Sequence, residues 1–510
     1  MEKQIKNHPG VIIFLAVCLL GCFAYSPSIN EPLFFIDDGL YLSSVPRDGF
    51  TLKNLLYVLT PVTKPVYLPL VDLTYLIDLN LAGWFGVSEN AWMRVVNMIW
   101  LAASAVWVLK IFNLRPGHFQ NTPDFSAVGM GVAILFALHP LHAIPTAWIA
   151  ARKDALVCFM GLGFVYQILK RRHARAFIFY VLAFASKQSA YGLFLWVLAA
   201  ELFFAIKSLG INRKMTAFYL KTVAPFFLFF LVFFPLSFSL SSAHPRANVY
   251  VFPQTLLTYL FYVLKVFVPY PLTHYYGRPA ALNLFLTIGS LAAIAAAFVL
   301  TYWLGFKEKI SSWVALLGFF TFLAMLPYFS VFPAMLLINN SYAYTLVAPC
   351  LLLLFAGVSK MHFRKEVYIT LFLVLIGSSV VYSRSLTKEF SEPIAAFERN
   401  VSLYPQERFL QVRLAQAAQS EGDLKLAKKI YLQILDQRMQ EAHRISTEAF
   451  DGIADICASE KDSACVDFLV RTATRNTHAY YCRRLLEKNL PLAFNFDPCI
   501  KKYPGDFKTP

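Results

Sequence analysis

Charge is scarce in this chain of 510 residues: Asp, Glu, Lys and Arg together make 15%, and only 30 residues are acidic. Set beside 58% hydrophobic residues and a mean hydropathy of +0.54, that scarcity excludes an ordinary soluble domain. The acids do not balance 46 Lys and Arg, and the formal charge is +16. A basic balance suggests nucleic acid, but the cations are gathered in short loops. Lys170, Arg171, Arg172 and Arg175 form one cluster, Arg213, Lys214 and Lys221 a second, and Lys360, Arg364 and Lys365 a third. That is how cytoplasmic loops of a membrane protein orient it, so no nucleic-acid partner is expected. Cysteine is sparse too, with eight residues whose spacings lack a zinc pattern. The outer loops hold no clustered ligand set, so neither metal nor cofactor is expected.

Long apolar runs are what the chain does have. Each crosses roughly 30 Å of hydrocarbon in about 20 residues; they recur from Val11 to Tyr382 and then stop. The expected organisation is an α-helical membrane domain over 1–383, helical repeats over 384–480 and a C-terminal extension over 481–510. After a first span near Val11–Ala24, further spans are expected near 91–112, 125–139, 154–169, 176–186, 189–206, 222–240, 281–304, 312–330, 341–358 and 366–383, about eleven in all. Lys3 and Lys6 place the N-terminus in the cytoplasm, and the chain emerges outside after the first span. A competing reading takes Leu19-Leu20-Gly21-Cys22 as a lipoprotein cleavage site; the residues that follow stay outside either way. Gln254–Tyr270 is apolar but carries Lys265, and counting it as a span would move the later basic clusters outside. It is therefore expected to lie along the interface within an outer loop, 241–280, and an odd number of spans then puts the tail outside too.

In that tail, Leu414, Ala415, Ala418, Gly422, Ala427, Tyr431 and Leu435 fit the spacing of a tetratricopeptide repeat, and Phe397 stands one period before Tyr431. An ordinary helical hairpin is the plainer alternative. Cys18, Cys22, Cys158 and Cys350 fall in apolar spans as small core residues. Cys457, Cys465, Cys482 and Cys499 lie together in the tail, where an oxidising exterior allows two disulfides in three alternative pairings.

Just after the first span the sequence reads FFIDDGLY, with Asp37 and Asp38 side by side. Adjacent carboxylates repel and raise the pKa of one, as general-base chemistry on a hydroxyl requires; a solvated turn is the plain alternative. The same outer side collects His139, His142, Arg152, Lys153, Lys187, His244, Arg246, His274 and Arg278. Cations there run against the positive-inside bias, and a phosphate at the membrane surface gives them a purpose.

These motifs carry a resemblance. The acidic pair, Tyr67-Leu68-Pro69-Leu70, Arg94-Val95-Val96-Asn97, the block LFALHPLHAIPTAWIAARKDAL over 135–156, ASKQ over 185–188 and the repeat-like tail look like a membrane glycosyltransferase of the GT-C superfamily. The nearest likeness is to the transmembrane and tetratricopeptide repeat-containing O-mannosyltransferases and their bacterial relatives. The resemblance implies inverting transfer of a sugar from a polyprenyl-phosphate donor to a Ser or Thr hydroxyl of an extracytoplasmic protein, from a bacterial inner membrane. It aligns Asp37 with the catalytic acid and Asp38 with the neighbour that positions the acceptor. Arg152, Lys153 and Lys187 fall to the donor phosphate, joined on topology by Arg246 and Arg278, while His139, His142, His244 and His274 are further candidates. The chain departs from its relatives at Asn339-Asn340-Ser341-Tyr342-Ala343-Tyr344, where they carry an acidic-Arg-Tyr motif, and at Gln188, where they carry Glu. Sugar identity stays open. Two alternatives stand beside this reading: transfer to a glycolipid or envelope polymer, and a non-catalytic scaffold that recruits partners through its tail.

Overall fold

A computed structural model describes residues 9–34, 36–43, 45–60, 67–114, 125–211, 213–239, 261–273, 275–276, 338–358, 364–440 and 447–475, with Val299, Trp303 and Leu485. It divides into two compact units, one of Met1–Thr273 with Arg278–Ser391 and one of His274–Gly277 with Glu392–Pro510.

The larger unit is helical. Helix α1 (Pro9–Tyr25) turns Val11, Leu15, Leu19 and Phe23 outward and Ile13, Val17, Gly21 and Ala24 inward. Large apolar side chains outside, and Gly21 and Ala24 among the inward residues, are what close helix packing in a lipid solvent selects. The segment after α1 then forms α2 (Asp38–Leu42), α3 (Leu52–Leu59) and α4 (Pro69–Phe85). Thr51 caps α3 by accepting from Asn54 N–H, and α4 starts on Pro69 and ends at Gly86, whose φ of +63° suits a residue without Cβ. Helices α5 (Glu89–Phe112), α6 (Phe125–Ala137) and the short α7 (Ala143–Ala147) follow, then α8 (Arg152–Leu169), α9 (His173–Ser186), α10 (Tyr191–Leu209) and α11 (Arg213–Ser239). The unit ends with α12 (Asn340–Ala343), α13 (Val347–Val358) and α14 (Lys365–Phe390). Helix α5 packs on α1, α6 and α8, and α8 lies along α9. At that last contact a Cβ on Gly163 would stand 2.5 Å from the Phe179 ring, so the two helices approach only because residue 163 is glycine.

Among the described residues six helices are long and apolar enough to cross a membrane: Pro9–Ser28, Glu89–Phe112, Ala127–Ala147, Gln188–Leu209, Arg213–Leu236 and Glu366–Phe390. His173–Ser186 and Val347–Val358 are shorter apolar helices. The expected spans at 281–304 and 312–330 lie outside the described residues. Helices α3 and α4 occupy what the sequence reading left as outer loop.

The smaller unit contains α15 (Pro393–Leu403), α16 (Arg408–Ser420), α17 (Leu424–Gln440), α18 (Thr447–Glu460) and α19 (Ser463–Arg475), each packed on the next. Leu414, Ala415, Ala418, Ala427, Tyr431 and Leu435 are all buried, and Gly422, at φ +83°, makes the turn between α16 and α17. Cys457 on α18 is bonded to Cys465 on α19. Cys482 and Cys499 lie outside the described residues. Lys428 reaches the same corner, donating to Asp462 Oδ2 at 2.7 Å and pairing with Glu460.

Candidate functional site

Two polar residues on α5, one turn apart and therefore on one face, organise the end of the larger unit that holds the acidic pair. Arg94 is 2% exposed, and its guanidinium donates to four backbone carbonyls: Ala147 at 2.8 Å, Ile29 at 3.4 Å, Glu31 at 2.5 Å and Pro32 at 2.7 Å. It thereby ties the segment leading to the acidic pair onto the end of α7. Asn97, three residues on, donates to the carbonyls of Thr146 at 3.4 Å and Trp148 at 3.2 Å. The indole N–H of Trp148 in turn donates to Ile36 O at 3.0 Å, and Tyr75 on α4 donates to Ile149 O at 2.7 Å. Residues 146–150 thus form a backbone shelf, gripped from α4 and α5, against which the acids are set.

The two acids occupy unlike places. Asp38 is fully buried, its Oδ2 accepting from Phe34 N–H at 2.9 Å and its Oδ1 from Ala150 N–H at 2.7 Å. Burial pushes its pKa up to about 7, against the opposing pull of those two N–H groups and of the Arg94 and Lys153 charges. Asp37 is half-buried and precedes α2 at φ +66°, ψ −31°, at the centre of a tight turn in which Asp38 N–H donates to Ile36 O at 2.9 Å. Its carbonyl accepts from Tyr41 N–H at 3.0 Å as the first link of α2. Where the resemblance has Asp38 position an acceptor, both its oxygens are enclosed by the protein's own backbone, and the more open carboxylate is that of Asp37.

Lys153 is the half-buried cation nearest this arrangement. Its ammonium donates to Ala150 O at 2.6 Å and sits 4.5 Å from the Tyr41 ring and 5.4 Å from that of Trp148. Ala150 therefore joins the two charges, its N–H on Asp38 and its C=O on Lys153.

The other expected cations are placed otherwise. Arg152 is sealed within the unit: Nε donates to Asn97 Oδ1, one terminal nitrogen to Asp78 Oδ2 at 2.7 Å and Thr74 Oγ1 at 3.3 Å, the other to Met93 O at 2.8 Å. Lys187 is buried and paired with Asp154. His139 accepts from Leu141 N–H through Nδ1 at 3.2 Å, which makes Nε2 the donor to Val266 O at 2.9 Å. His142 directs its ring nitrogens at the carbonyls of Phe136, 2.7 Å away, and Tyr344, 3.1 Å away. The histidines therefore bind the end of α6 to segments 261–267 and 341–344. Arg246, Arg278, His244 and His274 lie outside the described residues. Among the described residues no three His, Cys, Asp or Glu side chains gather as a metal site would need.

Sequence reasoning quoted Arg94 and Asn97 only as part of a resemblance and passed over Tyr75, Asp78 and Trp148. The signal was present in an Arg and an Asn at i and i+3 inside an otherwise apolar span, since such groups persist there only with partners. No protein-family model matches the chain, and no curated protein matches it.

Proposed function

We propose that the chain is an integral-membrane glycosyltransferase, taking a sugar from a polyprenyl-phosphate donor and passing it to a Ser or Thr hydroxyl of an extracytoplasmic protein. The observation that supports this best is the division of labour around Ala150: a sealed Asp38 fixes the loop, while Asp37 and Lys153, each half-open, remain on that loop and on the shelf. Asp37 takes the proton from the acceptor hydroxyl as its oxygen attacks the anomeric carbon. The bond from that carbon to the donor phosphate oxygen breaks with its electron pair, and the lipid phosphate leaves with its charge met by Lys153. Attack from the face opposite the leaving group inverts the anomeric configuration. Arg152 and Lys187, neutralised by Asp78 and Asp154, hold the start of α8 in place and so aim Lys153. The tail binds the protein acceptor, on the outer side of a bacterial inner membrane.

The test is transfer by the purified full chain in lipid nanodiscs, given polyprenyl-phosphate hexoses or pentoses and a Ser/Thr peptide. Product with inverted anomeric configuration by NMR supports the proposal. Transfer only to lipid acceptors moves the function to glycolipid assembly, and no transfer with any donor leaves the scaffold reading.

A further inference from the structure

Tyr275 and Tyr276 belong to the tail unit although the chain reaches α15 only after a further stretch of the larger unit. They form a short extended segment, in which adjacent side chains point to opposite sides, yet they are only 5% and 3% exposed. Something must therefore close on both flanks. The Tyr275 ring stacks on Phe397 of α15, centroids 6.2 Å apart and planes 24° apart, and meets the edge of Phe409 of α16 at 5.5 Å. The Tyr276 ring stands edge-on to Tyr404, between those helices, at 6.4 Å. The guanidinium of Arg413, one turn beyond Phe409, lies 4.5 Å from the Phe409 ring. Elsewhere the pairs of this unit meet through small residues such as Ala415, Ala418 and Ala427. At α15–α16, Phe397, Tyr404 and Phe409 gather around an extended segment from another part of the chain.

We infer that the α15–α16 slot is a recognition site for extended polypeptide bearing adjacent aromatic residues, held self-occupied by Tyr275–Tyr276. Two tyrosines give large rigid contact area at low entropic cost, and two facing aromatic walls select side chains that alternate across a strand. A tether at both ends keeps the local concentration of the occupant near the millimolar range, so an outside polypeptide enters only where it binds better than that or where the strap is drawn away. The inference concerns which surface of the tail takes a polypeptide, and it stands whatever reaction the larger unit performs.

The experiment uses the full chain in nanodiscs with Tyr275→Ala and Tyr276→Ala together, and a fluorescent peptide copying residues 272–279. The doubly substituted protein is expected to bind the peptide at least about 10-fold more tightly than the unsubstituted one, and a control peptide with both tyrosines replaced by alanine is expected to bind neither. Equal affinity for the two proteins, or no binding by the variant, overturns the inference. Protease resistance across 392–475 is measured in parallel: if the double substitution abolishes it, the tyrosines are part of the unit's core and not the occupant of a site, which overturns the inference as well.

Discussion

The backbone N–H of Ala150 donates to Asp38 Oδ1 at 2.7 Å, joining positions 112 residues apart in sequence. Because Asp38 holds its proton up to about pH 7 in the fold and an unfolded carboxyl releases it near its ordinary pKa of 3.8, the folded chain binds more protons between those limits. Its contribution to stability is therefore greatest below that window, falls as pH rises through it, and levels off above. Hydrogen exchange of residues 34–38 and 148–150, corrected for intrinsic rate, is expected to be slower at pH 5 than at pH 8. Asp38→Asn should flatten that difference; a variant with the same pH dependence would show that another group is responsible.

At Asp37 the shape of the backbone and the charge of the side chain are separable. Asn has the shape of Asp and Gly accepts the φ of +66° without strain, so Asp37→Asn and Asp37→Gly should insert and accumulate normally. Both lack the carboxylate, and transfer is expected to fall by roughly 100-fold or more in each. Near-normal turnover in either variant, measured with saturating donor, would remove Asp37 from the chemistry.

Arg94 serves four carbonyls at once, a task for a planar fork of donors that a lysine ammonium cannot reproduce. Arg94→Lys is expected to keep the charge but lose most of the ties, and Arg94→Gln to cost about 3–5 kcal/mol through buried carbonyls left without donors. The readout is the thermal midpoint in detergent, together with proteolytic cleavage between residues 29 and 38, which should appear in both variants and be strongest in Arg94→Gln.

The bond between Cys457 and Cys465 ties α18 to α19. Replacing both with serine should weaken the tail unit by about 2–3 kcal/mol, seen as earlier melting and faster proteolysis of 447–475. Mass spectrometry after alkylation of intact cells is expected to find the two thiols joined. Free thiols there would place the tail in a reducing compartment and sink the outward orientation proposed for it.

Orientation can also be read directly. Reporters fused after Arg172 and Lys365 are expected to read cytoplasmic, and those after Asp48 and Gly422 external. A cytoplasmic reading at Gly422 alone would break the proposal that the tail binds a protein acceptor outside.

Where a helix is held by its own apolar run, the sequence located it closely: the first span was expected at Val11–Ala24 and is Pro9–Tyr25, and 91–112 is Glu89–Phe112. Bounds were harder to read where polar residues sit inside a helix. The last span was expected near 366–383, with a helix continuing from it into the tail, and α14 runs unbroken from Lys365 to Phe390. The Ser383 hydroxyl donates to Leu138 O at 3.2 Å and that of Thr387 to Ala24 O at 2.9 Å, so their polarity is satisfied within the unit and does not end the helix. Similarly α11 begins at Arg213 and not near 222, since long basic side chains can lie along a helix end and reach water. The adjacency of the two acids was legible in the sequence. That one is enclosed and the other half-open was not, because the enclosing N–H belongs to Ala150, and no local pattern at residue 38 encodes a partner so far along the chain.

The strap also sets an order of events during synthesis. Tyr275 and Tyr276 are made well before Glu392, the first residue of the tail that receives them. At about 5–20 residues per second the interval is on the order of 10 seconds, during which two adjacent aromatics emerge with no helices to cover them. The tail unit is therefore completed last and by capture: its α15–α16 walls form around a segment already delivered. Any delay in producing α15 and α16 prolongs the exposure of Tyr275–Tyr276 to chaperones, proteases and neighbouring nascent chains.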